Sequence, residues 1–199
     1  MNNTMIEAIG KRRSQYALGS TLPVGNDAVD TLVREAVRLS PTSFNSQSSR
    51  AVILFGAEHL KLWSIVKETL RAIVPAESFA STEGKVDSFA AGAGTVLFFE
   101  DQEPIAKLQE SFPLYAENFP IWSEQSSGMA QLAVWSALAD VGIGASLQHY
   151  NPLIDQKVID TWDLPETWKL RAQMPFGSNQ KPFGEKTFMD DAERFRTFG

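Results

Sequence analysis

The chain has 199 residues, 43% hydrophobic and 21% charged, a globular balance that predicts one domain with a sizeable core over residues 1–199. A formal net charge of −6 disfavours a nucleic-acid partner, and no apolar run reaches the roughly 20 residues of a membrane span. Cysteine is absent and only two histidines occur, which argues against thiol catalysis and metal binding and fits a reducing cytoplasm.

Three helices and two strands are predicted in the first half of the chain. The clearest helix has apolar residues at i, i+3, i+4, i+7 and i+8 from Val29; Asn26 or Asp27 can cap it, and Pro41 ends it. The other predicted elements are helices over 4–13 and 58–73 and strands over 51–55 and 95–99. Residues 75–93 are less regular and predict no element.

The second half predicts a short helix over residues 103–117, followed by an aromatic turn, Phe119 to Trp122. This turn leads into the longest helix, 123–141. Later predicted elements are strands over 143–147 and 170–174 and a helix over 155–162. This order predicts an α+β fold in which a mixed central sheet is flanked by helices. The polar, phenylalanine-studded tail, 181–199, is expected to lie on another surface, such as a second subunit.

Two polar segments stand out near the amino terminus. Residues 39–50 carry five serines, a threonine, an asparagine and a glutamine between a predicted helix and a predicted strand. Lys11-Arg12-Arg13-Ser14 place three cations and a hydroxyl at the end of the first predicted helix. The loop alone is equally well interpreted as a solvated turn. Together, the two segments can hold a polyhydroxylated, phosphorylated heterocycle.

Glycine motifs narrow the chemistry. Gly92-Ala93-Gly94 precedes a strand and lacks the third glycine of a dinucleotide-binding turn, which argues against a Rossmann site. Neither a GxxxxGK[ST] loop nor a GxSxG elbow is present. In residues 142–152, Gly142 and Gly144 allow a ligand to approach the backbone ahead of His149. A turn histidine with local hydrogen bonds is the commoner fate of such a residue.

Three segments in this order and spacing resemble a known family: Gly10–Ser14, Ser40–Gln47 and Gly142–Pro152. The chain resembles the FMN-dependent nitroreductases, and within them the compact branch named after a yeast fatty-acid-repression mutant protein. Branch signatures match Asn118–Ser123, Leu147–Asn151 and Met174–Gly177. The resemblance covers essentially the whole chain. It implies a nitroreductase-like fold and an obligate homodimer with two FMN sites at the interface.

The resemblance also implies a set of cofactor contacts. Arg12 and Ser14 would bind the FMN phosphate and ribityl chain, since the planar fork of arginine suits phosphate oxygens. A backbone N–H of Gln148 or His149 would reach flavin N5, and Lys85 would lie near N1 and O2. The loop would reach the flavin of the other subunit. The remaining implied contacts are Arg13, Pro41, Thr42, Ser43, Asn45, Gln47 and, near the carboxyl terminus, Lys186 ahead of Arg194 and Arg196.

The activity implied by the resemblance is the reduction of nitroaromatics or quinones by NADH or NADPH through FMN, with ping-pong kinetics. The flavin carries the chemistry, so no catalytic side chain is expected. Phe44, Phe119 and Trp122 are candidates for a substrate-stacking wall, with ordinary core packing as the alternative for each. The chain departs from the family where Thr82-Glu83-Gly84-Lys85 lacks the usual asparagine. It is also too short for the additional helix that covers the active site in longer members.

Two other function classes stay open at this point. One is a flavin-binding redox sensor or regulator that acts through a partner without significant turnover, for which the branch name suggests lipid signalling. The other is a different flavin reaction, such as dehalogenation or flavin cleavage.

Overall fold

Five strands form one sheet in the computed structural model, which describes residues 3–199. They are β1 (Leu18–Gly19), β2 (Ser49–Phe55), β3 (Gly94–Asp101), β4 (Gly144–Ala145) and β5 (Trp168–Asn179). The strand order is β1-β5-β3-β2, with β4 also paired to β5, and each of these ladders is antiparallel. The parallel component within residues 3–199 is an isolated bridge between Ser14 and Ala145.

Eight α-helices accompany the sheet within the described residues, and the predicted α+β class is confirmed. They are α1 (Thr4–Lys11), α2 (Asn26–Leu39), α3 (Gly56–Arg71), α4 (Phe79–Ala90), α5 (Gln102–Ser111), α6 (Asn118–Asp140), α7 (Asp155–Trp162) and α8 (Asp191–Arg194). Gly25, rather than Asn26 or Asp27, is the N-cap of α2 and provides no side-chain bond.

The hydrophobic core has two halves, one on each face of the sheet. Successive strand residues point to opposite faces, so Leu97 and Phe99 of β3 enter one half, and Val96 and Phe98 enter the other. The first half packs against α3, α4 and α7, and the second packs against α2 and α6. The long helix α6 therefore lies directly on the sheet.

One helix was missed by the sequence analysis. Residues 79–90 form α4, in the region that appeared irregular, and its buried face is Phe79, Val86 and Phe89. Ser81, Thr82 and Gly84 have weak helix propensity and masked this spacing. Packing against α3 compensates for that weakness, since Phe79, Val86 and Phe89 share a core with Trp63.

Three other boundaries differ from the predictions, two of them at prolines that occupy unusual but tolerated positions. The predicted aromatic turn, 119–122, is the first turn of α6, where Pro120 loses no intrahelical hydrogen bond. Strand β5 runs well beyond the predicted 170–174, through Pro175 to Asn179. At Gly177 the backbone of Gly19 comes so close that a Cβ would collide with it. The predicted strand 143–147 is reduced to the two residues of β4.

Candidate functional site

An aromatic cluster lies at the amino-terminal end of α6. The Phe44 ring centroid is 5.2 Å from that of Phe119 and 6.2 Å from that of Trp122, with the Trp122 ring nearly parallel to it at 14°. Phe119 is buried and forms the floor, whereas Phe44 is 52% exposed. The structure thus brings together the three aromatic residues that the sequence analysis selected.

Two further aromatic residues belong to this cluster and were missed by sequence reasoning. Phe112 and Tyr115 lie 5.0 and 6.4 Å from Phe44, both on the connection between α5 and α6. That connection is a 3-10 turn, Pro113–Tyr115, which has no periodic sequence pattern. Their aromatic character next to Phe119 was the only available signal.

The serine-rich loop that carries Phe44 has an unusual backbone. Phe44, Asn45 and Gln47 have φ values of 55°, 50° and 48°, a left-handed region that disfavours bulky side chains. The loop closes on itself because the Gln47 N–H donates to the Thr42 hydroxyl at 3.0 Å. Over residues 3–199, the side chains of half-buried Ser43 and exposed Asn45 and Gln47 have no hydrogen-bond partner, so they are available to a ligand or a second chain.

A second polar group lies near the opposite end of α6, where α1 ends. Arg12 is the C-cap of α1 and has extended backbone, and Ser14 forms the bridge to Ala145. The Arg12 guanidinium lies 4.5 Å from the Trp135 ring centroid, and within residues 3–199 it has no carboxylate partner. An arginine without an acidic partner in an acidic protein can bind an anion.

Arg13 has a different environment from Arg12. Side chains alternate along extended backbone, so Arg12 and Ser14 share one side and Arg13 takes the other. The Arg13 Nη2 donates to the Gly184 carbonyl at 2.6 Å, and its guanidinium lies 5.6 Å from the Phe183 ring. Arg13 therefore fastens the carboxyl-terminal tail.

The backbone N–H groups after β4 distinguish between Gln148 and His149. Gln148 N donates to the Gln173 carbonyl at 2.7 Å, and Tyr150 N donates to the Gln173 side chain at 2.7 Å. The His149 N–H points the other way because alternate residues of an extended segment face opposite sides. It has no acceptor in the described part of the chain, whereas the Gln148 N–H is already used.

The two predicted lysines lie on exposed segments. Lys85 is on α4, one turn before Phe89, whose ring is 6.3 Å from that of Tyr16, two residues beyond Ser14. Lys186 lies in the tail, with its Nζ 5.0 Å from the Phe188 ring centroid. The structure places α4 beside the chain that follows Ser14, but it shows no contact of either lysine with Arg12 or Ser14.

An apolar groove separates the two ends of the site along the flank of α6. It is bounded by α1, α2 and α6, and its lining includes the exposed side chains of Met5, Leu39, Met129 and Leu132, together with Pro41 and Ser136. Trp122 and Trp135 are 13 positions apart, which at 1.5 Å per residue is roughly 20 Å along the axis. The aromatic cluster and Arg12 are therefore far apart within one chain.

Two features are absent from residues 3–199. No three His, Asp or Glu side chains there are arranged to hold a metal ion. In the same residues, no helix combines the length and apolar character needed to cross a membrane.

Comparisons with known proteins agree with the sequence resemblance. The nitroreductase family model matches residues 9–178. A putative nitroreductase of Saccharomyces cerevisiae, HBN1, is 37% identical over 96% of this chain and 97% of its own length. Nitroreductase CinD from Lactococcus lactis, solved with 4-nitrophenol and with chloramphenicol, is 52% identical with a TM-score of 0.90, covering 98% of this chain and all of CinD.

A more distant neighbour shares the fold alone. It is a putative nitroreductase from Desulfovibrio desulfuricans, solved in complex with FMN, with 19% identity and a TM-score of 0.70 over all of this chain and 99% of its own. The family match and the close relatives confirm the prediction made from the three sequence segments: the chain belongs to the nitroreductase family.

Proposed function

We propose that this chain binds FMN as a homodimer and acts as an NAD(P)H oxidoreductase on nitroaromatics or quinones. The carrying observation is a set of unused donors on the two segments that the Ser14–Ala145 bridge joins: the Arg12 guanidinium, the Ser14 hydroxyl and, four residues after Ala145, the His149 N–H. A guanidinium suits a phosphate, a hydroxyl suits a ribityl chain, and an outward N–H suits a ring nitrogen.

Bound FMN supplies the redox chemistry, with hydride taken from NADH or NADPH in one half-reaction and delivered to the acceptor in the other. Arg12 and Ser14 hold the phosphate end, and the His149 N–H holds flavin N5. Lys85 provides positive charge near N1 and O2, and Lys186 supplements the phosphate site. The protein binds and orients, and no side chain serves as nucleophile.

The second chain completes each site in this proposal. The loop residues Thr42, Ser43, Asn45 and Gln47 lie near the amino-terminal end of α6, roughly 20 Å from Arg12, by the helical rise. Two chains packed through the apolar groove with their α6 helices antiparallel bring the loop of one chain to the Arg12 end of the other. Exposed apolar surface of this kind is typical of an interface between subunits.

Relatives support the choice of electron acceptor and cofactor. CinD binds 4-nitrophenol and chloramphenicol, which both carry a nitrated aromatic ring, and a fold neighbour binds FMN. In this chain, the exposed Phe44 and half-buried Trp122 present parallel rings, which suit a flat acceptor. The same arrangement suits a quinone.

Flavin content and steady-state kinetics test the proposal together. We expect a yellow protein that releases FMN on heating and oxidises NADH or NADPH with a nitroarene or menadione, giving parallel double-reciprocal lines. A protein that binds no added FMN contradicts the assignment, and intersecting lines contradict the ping-pong order. Bound FMN without turnover would instead favour a flavin-binding sensor.

A further inference from the structure

Glu100 is a fully buried carboxylate that the proposed chemistry does not use. It lies near the end of β3, with 0% of its surface exposed. No cation lies within ion-pair distance of it in residues 3–199, whereas its neighbour Asp101 pairs with Arg50 at 2.8 Å. Burial of an acidic group is costly unless other groups satisfy it.

Three serine hydroxyls donate hydrogen bonds to Glu100; two are adjacent, at the junction of the serine-rich loop and β2, and the third is on α6. Ser48 and Ser123 donate to Oε2 at 2.6 and 2.7 Å, and Ser49 donates to Oε1 at 2.5 Å. Ser48 ends the serine-rich loop, Ser49 begins β2, and Ser123 lies in α6 beside Trp122. One carboxylate thus joins the loop to the helix that carries the aromatic cluster.

The bonds around Glu100 extend into the left-handed part of the loop. The Ser48 hydroxyl lies 3.3 Å from that of Ser46, between the left-handed residues Asn45 and Gln47. A second set of hydrogen bonds holds the same loop to β3. The Arg50 guanidinium donates to both the Gln47 carbonyl and the Asp101 carboxylate. A backbone of this kind persists only when its surroundings hold it in place.

We infer that Glu100 is a positioning residue, which fixes Phe44 against Trp122 and holds the adjoining Asn45 in place by accepting hydrogen bonds from Ser48, Ser49 and Ser123. The functional part of this inference rests on the proposed function, in which Phe44 and Trp122 stack on the electron acceptor and Asn45 serves the flavin of the partner. Glu100 touches neither. Its effect passes through the loop and reaches the site of the other chain.

Hydrogen–deuterium exchange of the full-length protein tests the structural part without reference to flavin. In Glu100→Gln the amide presents one acceptor oxygen to three donors, and Ser123→Ala removes one donor. Hydrogen bonds to a charged group contribute enough that we expect amides of residues 42–49 to exchange about tenfold faster in both variants. Ser123→Thr keeps the hydroxyl and should restore the parental rate.

The matched control is Ser126→Ala. Ser126 is equally buried on α6, three residues after Ser123, but its hydroxyl donates to the Trp122 carbonyl within the helix. Unchanged exchange of residues 42–49 in Ser123→Ala and Glu100→Gln, or an equal increase in Ser126→Ala, overturns the inference. If Glu100→Gln does not fold, Ser123→Ala and Ser49→Ala carry the test.

Kinetics of the FMN-saturated enzyme test the functional part. Ser123→Ala should raise the KM for a nitroarene roughly fivefold with little change in kcat, because the lost interaction serves binding of the acceptor. Faster exchange with an unchanged KM overturns the link to the acceptor. A parent protein that binds no FMN contradicts the proposed function, and the exchange result still decides whether Glu100 holds the loop.

Discussion

The two ends of α6 treat their polar groups in opposite ways. At the amino-terminal end, Glu100 accepts hydrogen bonds from Ser123 of α6 and from Ser48 of the serine-rich loop, all within the chain. At the other end, the Arg12 guanidinium and the Ser14 hydroxyl find no polar side-chain partner within residues 3–199. The first end therefore has a fixed conformation, and the second has hydrogen-bond donors that are available to a ligand.

In the proposed dimer, the two ends of α6 therefore have separate functions. A loop with three left-handed residues has little freedom to adapt, so it suits a rigid wall. Donors without protein partners do not have to give up a hydrogen bond within the chain when a ligand binds, so they suit a charged cofactor. Since roughly 20 Å of helix separates the two ends, by the rise per residue, one chain supplies half of each site.

Subunit complementation gives the largest expected effect. Arg12→Ala and Asn45→Ala each damage one end, so each homodimer should be nearly flavin-free. In a mixed dimer with shared sites, one site keeps both residues and the other carries both defects, so half of the sites should bind FMN. The measurement is flavin content of the purified heterodimer, with assembly shown by native mass spectrometry. A colourless heterodimer would place both ends in a site within one chain.

Arg12→Ala alone should weaken FMN binding about 100-fold, since a charge-assisted fork to phosphate is lost. Arg13→Ala is the matched control, because the Arg13 guanidinium contacts Gly184 and Phe183 instead. We expect only a few-fold change there. Titration of the apoproteins with FMN, followed by flavin fluorescence, measures both. Equal losses would mean that the tail, rather than an unpaired arginine, governs the phosphate end.

Sequence reasoning was strongest where a single local pattern decides the structure. The apolar periodicity from Val29 predicted α2, and the apolar runs predicted the centres of β2 and β3. It failed at α4 and at Pro120 and Pro175, where packing and neighbouring backbone outweigh local propensity. Phe44, Phe119 and Trp122 were candidates for a substrate-stacking wall, and the structure shows them in contact, while their role toward a substrate stays a prediction.

The sequence alone could not show which of the neighbouring polar groups are bonded within the chain and which are available to a ligand. Arg12 and Arg13 are adjacent cations, and only the extended backbone at the end of α1 assigns them to opposite sides. The N–H groups of Gln148 and His149 differ only through the fold, because Gln173 lies opposite Gln148 and accepts its N–H. Glu100 lies 23 residues or more from each of its partners, a separation that no local motif spans.

His59 is a buried histidine whose hydrogen bonds are all made within the chain. Its titration tests how such an internally bonded group affects the free energy of unfolding. His59 Nε2 faces the Ala90 carbonyl at 3.1 Å, and Nδ1 faces the Thr95 hydroxyl at 2.8 Å, so a neutral ring protonated at Nε2 satisfies both. Burial lowers the pKa of His59 below its usual 6.5. The unfolded chain therefore binds a proton that the folded chain rejects, and His59 destabilises the fold as the pH falls below 6.5.

Urea unfolding at pH 7.5 and pH 5.5 measures this effect. The parent should lose more unfolding free energy on acidification than His59→Gln, whose amide can still donate to the Ala90 carbonyl but does not titrate. The difference between the two proteins isolates His59 from the carboxylates that both retain. An identical pH dependence would show that the His59 network has no part in acid sensitivity.

His149 should give the smallest effect, since its backbone rather than its ring is the proposed flavin contact. The imidazole is exposed, and His149→Ala keeps the N–H that lacks an acceptor within residues 3–199. We expect kcat/KM with a good acceptor to change less than about threefold, as for a surface substitution that alters no protein contact.

His149→Pro is the matched contrast, because it removes the N–H and suits the extended Gln148 before it. With FMN bound and the fold intact by circular dichroism, the proline variant should be slower than the alanine variant. If His149→Ala instead loses hydride transfer by several orders of magnitude while FMN stays bound, the imidazole is a proton donor. The proposed flavin site would then hold a catalytic side chain as well as free donors.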